Sequence, residues 1–203
     1  CDFILGFCRT GQGINILANH KEGVRAALVF DEYTAEMSRR HNCANFFSIP
    51  SKERDEFIIN WISKLPSGTR FLDAGAGIQR YKKFTNHLNY TSQDFGEYKG
   101  GENFSGEKVE LWKSQNCDII SDITDIPVPD NSFDFILCSE VLEHLENPVK
   151  AMHELTRIVK PGGELLITAP FNSYYHQTPF FFVTGFSKFW YKKIAENLNL
   201  KMI

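Results

Sequence analysis

The stretch Arg70-Phe71-Leu72-Asp73-Ala74-Gly75-Ala76-Gly77 constrains this chain more than any other part of it. A short strand runs into an acid and two spaced glycines, so the chain must turn sharply at the strand's end. Glycine lacks a Cβ, and a ligand can approach the backbone closely there. A helix is expected from Arg80 to Leu88, with its free N–H groups aimed at the loop. In a dinucleotide site a third glycine lets helix and strand pack beside the pyrophosphate. Arg80 occupies that position here, which disfavours a pyrophosphate ligand.

Three more features follow in order. Asp94 lies 17 residues after Gly77, at the end of a strand read over Tyr90 to Phe95. A carboxylate there can accept from both hydroxyls of a ribose. Asp122 and Ile123 follow the short strand Ile119-Ile120, where an acid could accept from an adenine amino group. Ser139-Glu140-Val141-Leu142-Glu143-His144 follows the strand Phe133 to Ser139, and Glu140 and His144 would share a face if helical. Singly, each has a structural reading: a tight turn, a solvated strand end, a loop cap. Together, each at the C-terminal end of a predicted strand, they mark the edge where open α/β sheets bind ligands.

The pattern around them is α/β. Phe57, Ile58, Trp61, Ile62 and Leu65 recur at helical spacing after Ser51, and Pro148 opens a helix with Val149, Met152, Leu155, Ile158 and Val159 on one face. Pro161-Gly162-Gly163 reads as a tight turn before a strand over Glu164 to Ala169, and a helix is expected from about Ser187 to Leu198. Residues 96–116 read as a long loop. Before Ser51 the rhythm is β-α-β-α-β: strands over 3–7, Ala26 to Phe30 and Ala44 to Ile49, helices over Ile14 to Asn19 and Thr34 to His41.

Composition narrows the partners. The net charge is −3 and no basic block is present, so no nucleic-acid partner is expected. The cysteines are Cys1, Cys8, Cys43, Cys117 and Cys138, with no CxxC spacing. A zinc site or disulfide framework is not expected, no residue is assigned to a metal, and a reducing, cytoplasmic setting fits. No apolar run is long enough to cross a membrane. The first residue is Cys, and Leu200 to Ile203 look like the start of a strand, so both ends read as cut points.

The stretch FLDAGAG…SQDF…DIISDITDIPVPDNSFDFILCSEVLEHLENP…IVKPGGELLITAPF resembles the class I S-adenosylmethionine (SAM) dependent methyltransferases over roughly residues 52–203. The resemblance implies a Rossmann-like, seven-stranded, mostly parallel sheet with helices on both faces. Its last two strands would fall beyond Ile203. It also implies that Asp73, Gly75 and Gly77 line the methionine end of SAM, that Asp94 holds the ribose, and that Asp122 and Ile123 bracket the adenine. Glu140 matches the position beside the cofactor after the fourth strand. SAM has no pyrophosphate, which agrees with Arg80.

A hydroxyl acceptor would call for a general base, and histidine suits that near neutral pH. His144 and His176 are the candidates. For His144 a packing role stands equal to a catalytic one. His176 lies in Asn172-Ser173-Tyr174-Tyr175-His176-Gln177, either an acceptor-pocket loop or a solvated loop with aromatic anchors. Phe180-Phe181-Phe182 read as core or lid packing. The closest resemblance in detail is to methyltransferases of bacterial surface-polysaccharide and sugar modification, which implies a small-molecule or sugar acceptor.

The segment GFCRTGQGINILANHKEGVRAALVFDEYTAEMSRRHNCAN resembles the ribose-5-phosphate isomerase B and galactose-6-phosphate isomerase family over residues 1–49. The resemblance implies that Cys8 is the proton-transferring base, that backbone N–H groups around Thr10 to Gly13 stabilise an enediolate, that His41 assists ring opening and that Asn42 contacts substrate. Arg9 stands where the family has glycine. The family's early Asp-His segment would precede Cys1, and its phosphate-binding arginines fall where the methyltransferase pattern begins. The segment is therefore expected to be structural, and a place where copies could associate. Three other readings stay open: a non-catalytic SAM-binding module, an isomerase with the methyltransferase part as passenger, and an NAD-dependent sugar enzyme, which Arg80 disfavours.

Overall fold

The computed structural model describes residues 4–8, 12–29, 32–50, 52–96, 101–102, 108–109, 116–171, 173 and 176–202. Contacts divide the chain into two compact units. One comprises Cys1–Asn60 with Pro170–Ser173, and the other Trp61–Ala169 with Tyr174–Ile203.

In the first unit β1 (Ile4–Cys8), α1 (Gln12–Asn19), β2 (Ala26–Leu28), α2 (Glu32–Asn42) and β3 (Phe46–Pro50) alternate as expected. All three strands run parallel, with β3 between β1 and β2. Phe46 packs with Ala18, while the adjacent Phe47 packs with Val29 and Ala44. Successive strand residues face opposite sides, so β3 is covered on both. Two asparagines pin the α1–β2 connection. Asn19 Oδ1 accepts from the Ala26 N–H at 2.8 Å, and Asn45 Oδ1 accepts from the Arg25 N–H at 2.8 Å. Asn45 also donates to the Gly23 carbonyl, and Cys43 takes a left-handed φ of 50° at the end of α2. Much of the HN-x-AN segment is thus spent on shaping this turn.

The second unit is built on a five-stranded sheet in the order β10-β9-β4-β5-β8, every pair parallel. The strands are β4 (Arg70–Ala74), β5 (Asn89–Asp94), β8 (Ile119–Ile120), β9 (Phe133–Ser139) and β10 (Val159–Thr168). A separate antiparallel pair, β6 (Gly101–Glu102) and β7 (Lys108–Val109), lies inside the expected long loop. After β8 the chain passes back across β5 and β4, so the order reverses between β4 and β9. Ligands of open α/β sheets bind at such a switch point.

Every residue of β4 after Arg70 is buried. Leu72 and Ala74 face a core shared with Ile136, Cys138, Ala151, Met152, Leu155 and Ile158. Phe71 faces the other way, with its ring centroid 6.0 Å from that of Trp61 and 6.1 Å from that of Tyr90. The helix α4 (Pro148–Ile158) begins as its sequence dictates: Asn147 caps it by accepting from the Lys150 N–H, and Pro148 sits where no N–H is needed. Ser187 caps α5 (Lys188–Asn197) in the same way. Helix α3 (Lys52–Ser63) belongs for most of its length to the first unit. No helix among the described residues is long and apolar enough to cross a membrane.

Two expectations need correction. No α-helix forms over Arg80 to Leu88. Turns lead into a single 3-10 turn at Lys82–Phe84. Tyr81, Thr85 and Leu88 are buried at helical spacing all the same. The Thr85 hydroxyl instead donates to the Lys82 carbonyl at 2.8 Å, and Gln79 has a φ of 54°. Such side-chain-to-backbone bonds compete with helix propagation.

The second correction concerns Pro161-Gly162-Gly163, which is not a turn ahead of a strand but a bulge within β10. The register jumps from Val159↔Phe133 to Glu164↔Phe135. Gly162 adopts φ 80°. A Cβ on Gly163 would lie 2.5 Å from the Asp134 carbonyl oxygen and 3.0 Å from that of Lys160, both backbone atoms that cannot swing away. Gly163→Ala is therefore expected to force β10 from β9 and lower stability by about 1–3 kcal/mol. Chemical denaturation would show this, and an unchanged midpoint would contradict it.

Candidate active site

The glycine loop is held by the next strand rather than by a helix. The N–H groups of Gly75 and Ala76 both donate to the Gln93 carbonyl at 2.9 Å. The Gly75 N–H also reaches Gln93 Oε1 at 3.2 Å, and the Gly77 N–H donates to Asp94 Oδ2 at 2.9 Å. Gln93 is fully buried and donates from Nε2 to the Ser121 carbonyl at 2.7 Å. One amide thus ties the loop after β4 to the segment after β8. Gln93 was not singled out in the sequence. Its signal is a polar residue within a strand and beside a strand-end acid.

Gly75 has a second duty. It takes φ 72°, and a Cβ there would come within 2.4 Å of Val141 Cγ2. The loop after β4 therefore packs directly on the segment after β9, across the switch point. Gly77 also has a left-handed φ, of 51°. Beside it a cleft of about 430 Å³ is lined by Gly77, Ile78, Gln79, Lys82 and Asn116. That size falls within the usual range for a small-molecule site.

Asp94 closes the loop on itself and keeps acceptor capacity. Its carboxylate accepts from Gly77 N–H and, through Oδ1 at 3.1 Å, from Gly96 N–H. A carboxylate has about four acceptor positions, so two remain for vicinal hydroxyls. Asp73 is placed differently. It is buried and accepts from the Tyr90 hydroxyl at 3.0 Å. Burial raises its pKa from 3.8 to about 7; the Tyr90 bond opposes this and the Asp94 charge adds to it. The Tyr90 phenol is held above its ordinary value by burial and by the Asp73 charge.

Asp122 is exposed and accepts from the Thr124 N–H at 2.7 Å, a local turn. Ile123 lies in the apolar core with Leu72, Ala74 and Ile126.

The segment after β9 departs from the expected helix. A 3-10 turn covers Leu142–His144, so Glu140 and His144 do not share a helical face. Glu140 has φ 57° and accepts from the Thr168 hydroxyl of β10 at 3.1 Å. Glu143, fully buried, takes the place beside His144, with 3.7 Å between its Oε1 and His144 Nε2. His144 Nδ1 lies 2.5 Å from the Phe180 carbonyl oxygen. Burial pushes the His144 pKa down to about 4, partly opposed by that bond, with the His176 charge also lowering it, so the ring is neutral at pH 7. The two candidate bases meet: the His144 and His176 rings are 4.8 Å apart at 86°. Phe181 packs on His176 at 5.0 Å.

In the other unit Cys8 ends β1, and His41 and Asn42 are exposed at the end of α2. Arg9, Thr10, Gly11, Tyr174 and Tyr175 lie outside the described residues.

Two substitutions test this frame. Asp73 has a folded-state pKa above its unfolded value, so its stabilising contribution is complete below about pH 4 and lost as the pH rises through about 7. The melting temperature of Asp73→Asn, relative to wild type, is expected to rise between pH 5 and pH 8. A difference that stays constant would contradict the assignment. Gln93→Leu strands the Ser121 carbonyl and removes one of the Gly75 bonds. It is expected to cost about 1–3 kcal/mol, measurable by urea unfolding, and a neutral effect would dissolve the proposed tie.

Comparison with known proteins agrees with this geometry. Residues 72–167 match the family described as "Methyltransferase domain", and residues 1–99 match "Ribose/Galactose Isomerase", so the second match runs on through the glycine loop. The chain is 24% identical over 147 residues to probable tRNA methyltransferase 9B of Mus musculus, covering 68% of this chain and 31% of that protein. It is 31% identical over 113 residues to demethylmenaquinone methyltransferase of Renibacterium salmoninarum, covering 54% of this chain and 44% of that one. The crystal structure of a candidate methyltransferase from Bacillus halodurans shares the fold, with TM-score 0.51, 18% identity, and coverage of 71% and 68%. The chain spans only about a third and under half of the lengths of these two curated relatives. With its parallel sheet and glycine loop, the second unit has the fold of the class I methyltransferases, and residues 72–167 are similar to a methyltransferase domain, a similarity that implies S-adenosylmethionine as methyl donor.

Proposed function

We propose that the chain transfers a methyl group from SAM to a hydroxyl of a small-molecule or sugar acceptor. In this reading residues 52–203 form the working domain and residues 1–49 a partial, isomerase-like segment without catalysis of its own. The observation that carries the donor half is the gathering of Gly75, Gly77, Asp94 and Glu140 at the C-terminal ends of parallel strands around one switch point.

Bound SAM supplies a methyl group on a good sulfonium leaving group, so positioning accounts for much of the rate. Asp94 would hold the ribose hydroxyls with its two remaining acceptor positions. The glycine loop, fastened by Gln93, would set the depth of the methionine end. Asp122, exposed at the end of its strand, would accept from the adenine amino group, and Ile123 would support that edge from the core. His144 and His176, whose rings meet after β9 and β10, would lie on the acceptor side and assist removal of the hydroxyl proton.

A sugar acceptor is supported by the isomerase match on the same chain, since that family handles sugar phosphates. Surface-polysaccharide synthesis is the context this suggests. The relatives act on dissimilar acceptors by their names, and a net charge of −3 with no basic block in the sequence does not favour nucleic acid.

Isothermal titration should show SAM binding to the wild type, weakened at least about tenfold, or 1.4 kcal/mol, in Asp94→Ala. An absence of SAM binding would remove the donor assignment. A SAM-binding chain that methylates no nucleotide sugar in a panel would count against the sugar acceptor.

A further inference from the structure

The cysteine spacing places no metal in this chain. The fold assembles a different set of ligands. The ligand atoms of Glu143, His144 and His176 all lie within 4.8 Å of one another. The glutamate is buried, and the two histidines are half-buried. Two segments distant in sequence supply them, and those segments are fastened together. The Glu143 carbonyl accepts from the N–H groups of Phe182 at 2.9 Å and Val183 at 3.2 Å.

The hydrogen bonds of His144 fix which nitrogen is available. The Phe180 carbonyl can only accept, so Nδ1 carries the proton and donates to it. Nε2 therefore keeps its lone pair, and Nε2 is the atom that faces Glu143 Oε1 at 3.7 Å. Metal-bound imidazoles have this same arrangement, with the second ring nitrogen tied to a backbone carbonyl. The edge-to-face packing of His176 on His144, and the tilted packing of Phe181 on His176, limit where the second ring can turn.

We propose that Glu143, His144 and His176 bind one divalent transition-metal ion of the zinc type. Two imidazoles and one carboxylate are a donor set for such ions, and three protein ligands leave a coordination position open. Bond lengths of about 2.0–2.2 Å require the three groups to draw in by roughly 1 Å. An acceptor hydroxyl in the open position would be polarised by the ion rather than by a free imidazole. That consequence rests on the methyl-transfer reading; metal binding itself does not.

The test uses the full chain, stripped with a chelator, desalted and titrated with Co2+ under visible spectroscopy, then with Zn2+ as competitor. One Co2+ should bind per chain, with d–d absorption that Zn2+ abolishes. His176→Gln and Glu143→Gln should each weaken binding at least about tenfold, with circular dichroism confirming the fold. His176 lies in a loop, so its variant keeps the test decisive if Glu143→Gln does not fold. No saturable binding, binding that neither variant changes, or a thiolate charge-transfer band that places the ion on cysteine would each overturn the proposal. SAM titrated into the stripped chain separates the two readings: donor binding without metal binding leaves the methyltransferase assignment standing and ends this one.

Discussion

The organisation of the second unit depends on how the glycine loop is tied down. Gln93 and Asp94, consecutive residues at the end of β5, receive the N–H groups of Gly75, Ala76 and Gly77. In a fold of this kind those groups would commonly be satisfied around the start of a helix. Here the segment after the loop makes turns, and the neighbouring strand does the work. Because Gln93 and Asp94 also contact Ser121 and Gly96, the loop after β4 inherits the positions of the segments after β5 and β8. A single strand end therefore sets the geometry of three loops.

That tie explains why adjacent residues have separate environments. Asp73 and Asp94 are both buried acids near the loop. Asp94 sits at a strand end, where backbone N–H groups meet it. Asp73 is one residue inside its strand, on the face of Phe71 and Tyr90, where a phenol is its partner and burial favours the neutral acid. The same contrast separates Glu140 from Glu143. Glu140 stays beside Thr168 at the sheet, whereas the 3-10 turn carries Glu143 inward beneath the histidines.

The elements whose signals are local were legible in the sequence. The strands β4, β5 and β9, the capped start of α4 and the left-handed glycines of the loop all follow from residues within a turn of one another. So did the order of acids at the strand ends. Residues 80–88 form no α-helix even though Tyr81, Thr85 and Leu88 have helical spacing, because Thr85 closes a local bond that ends propagation. The bulge in β10 was read as a turn because Pro161-Gly162-Gly163 carries turn chemistry; only the backbone of the neighbouring strand β9, pressed against Gly163, keeps the segment in the sheet.

The sequence alone determined where the chain turns and which side chains arrive at the C-terminal edge of the sheet, because strand period and glycine placement are properties of the local chain. It could not determine which atoms meet there. Gln93 matters because its amide is buried between two loops, and Glu143 because one tight turn rotates it into place of Glu140 beside His144. His176 reaches His144 only because the segment after β10 folds back and hydrogen-bonds to the Glu143 carbonyl. Each of these depends on contacts between residues far apart in sequence, and no periodicity records them.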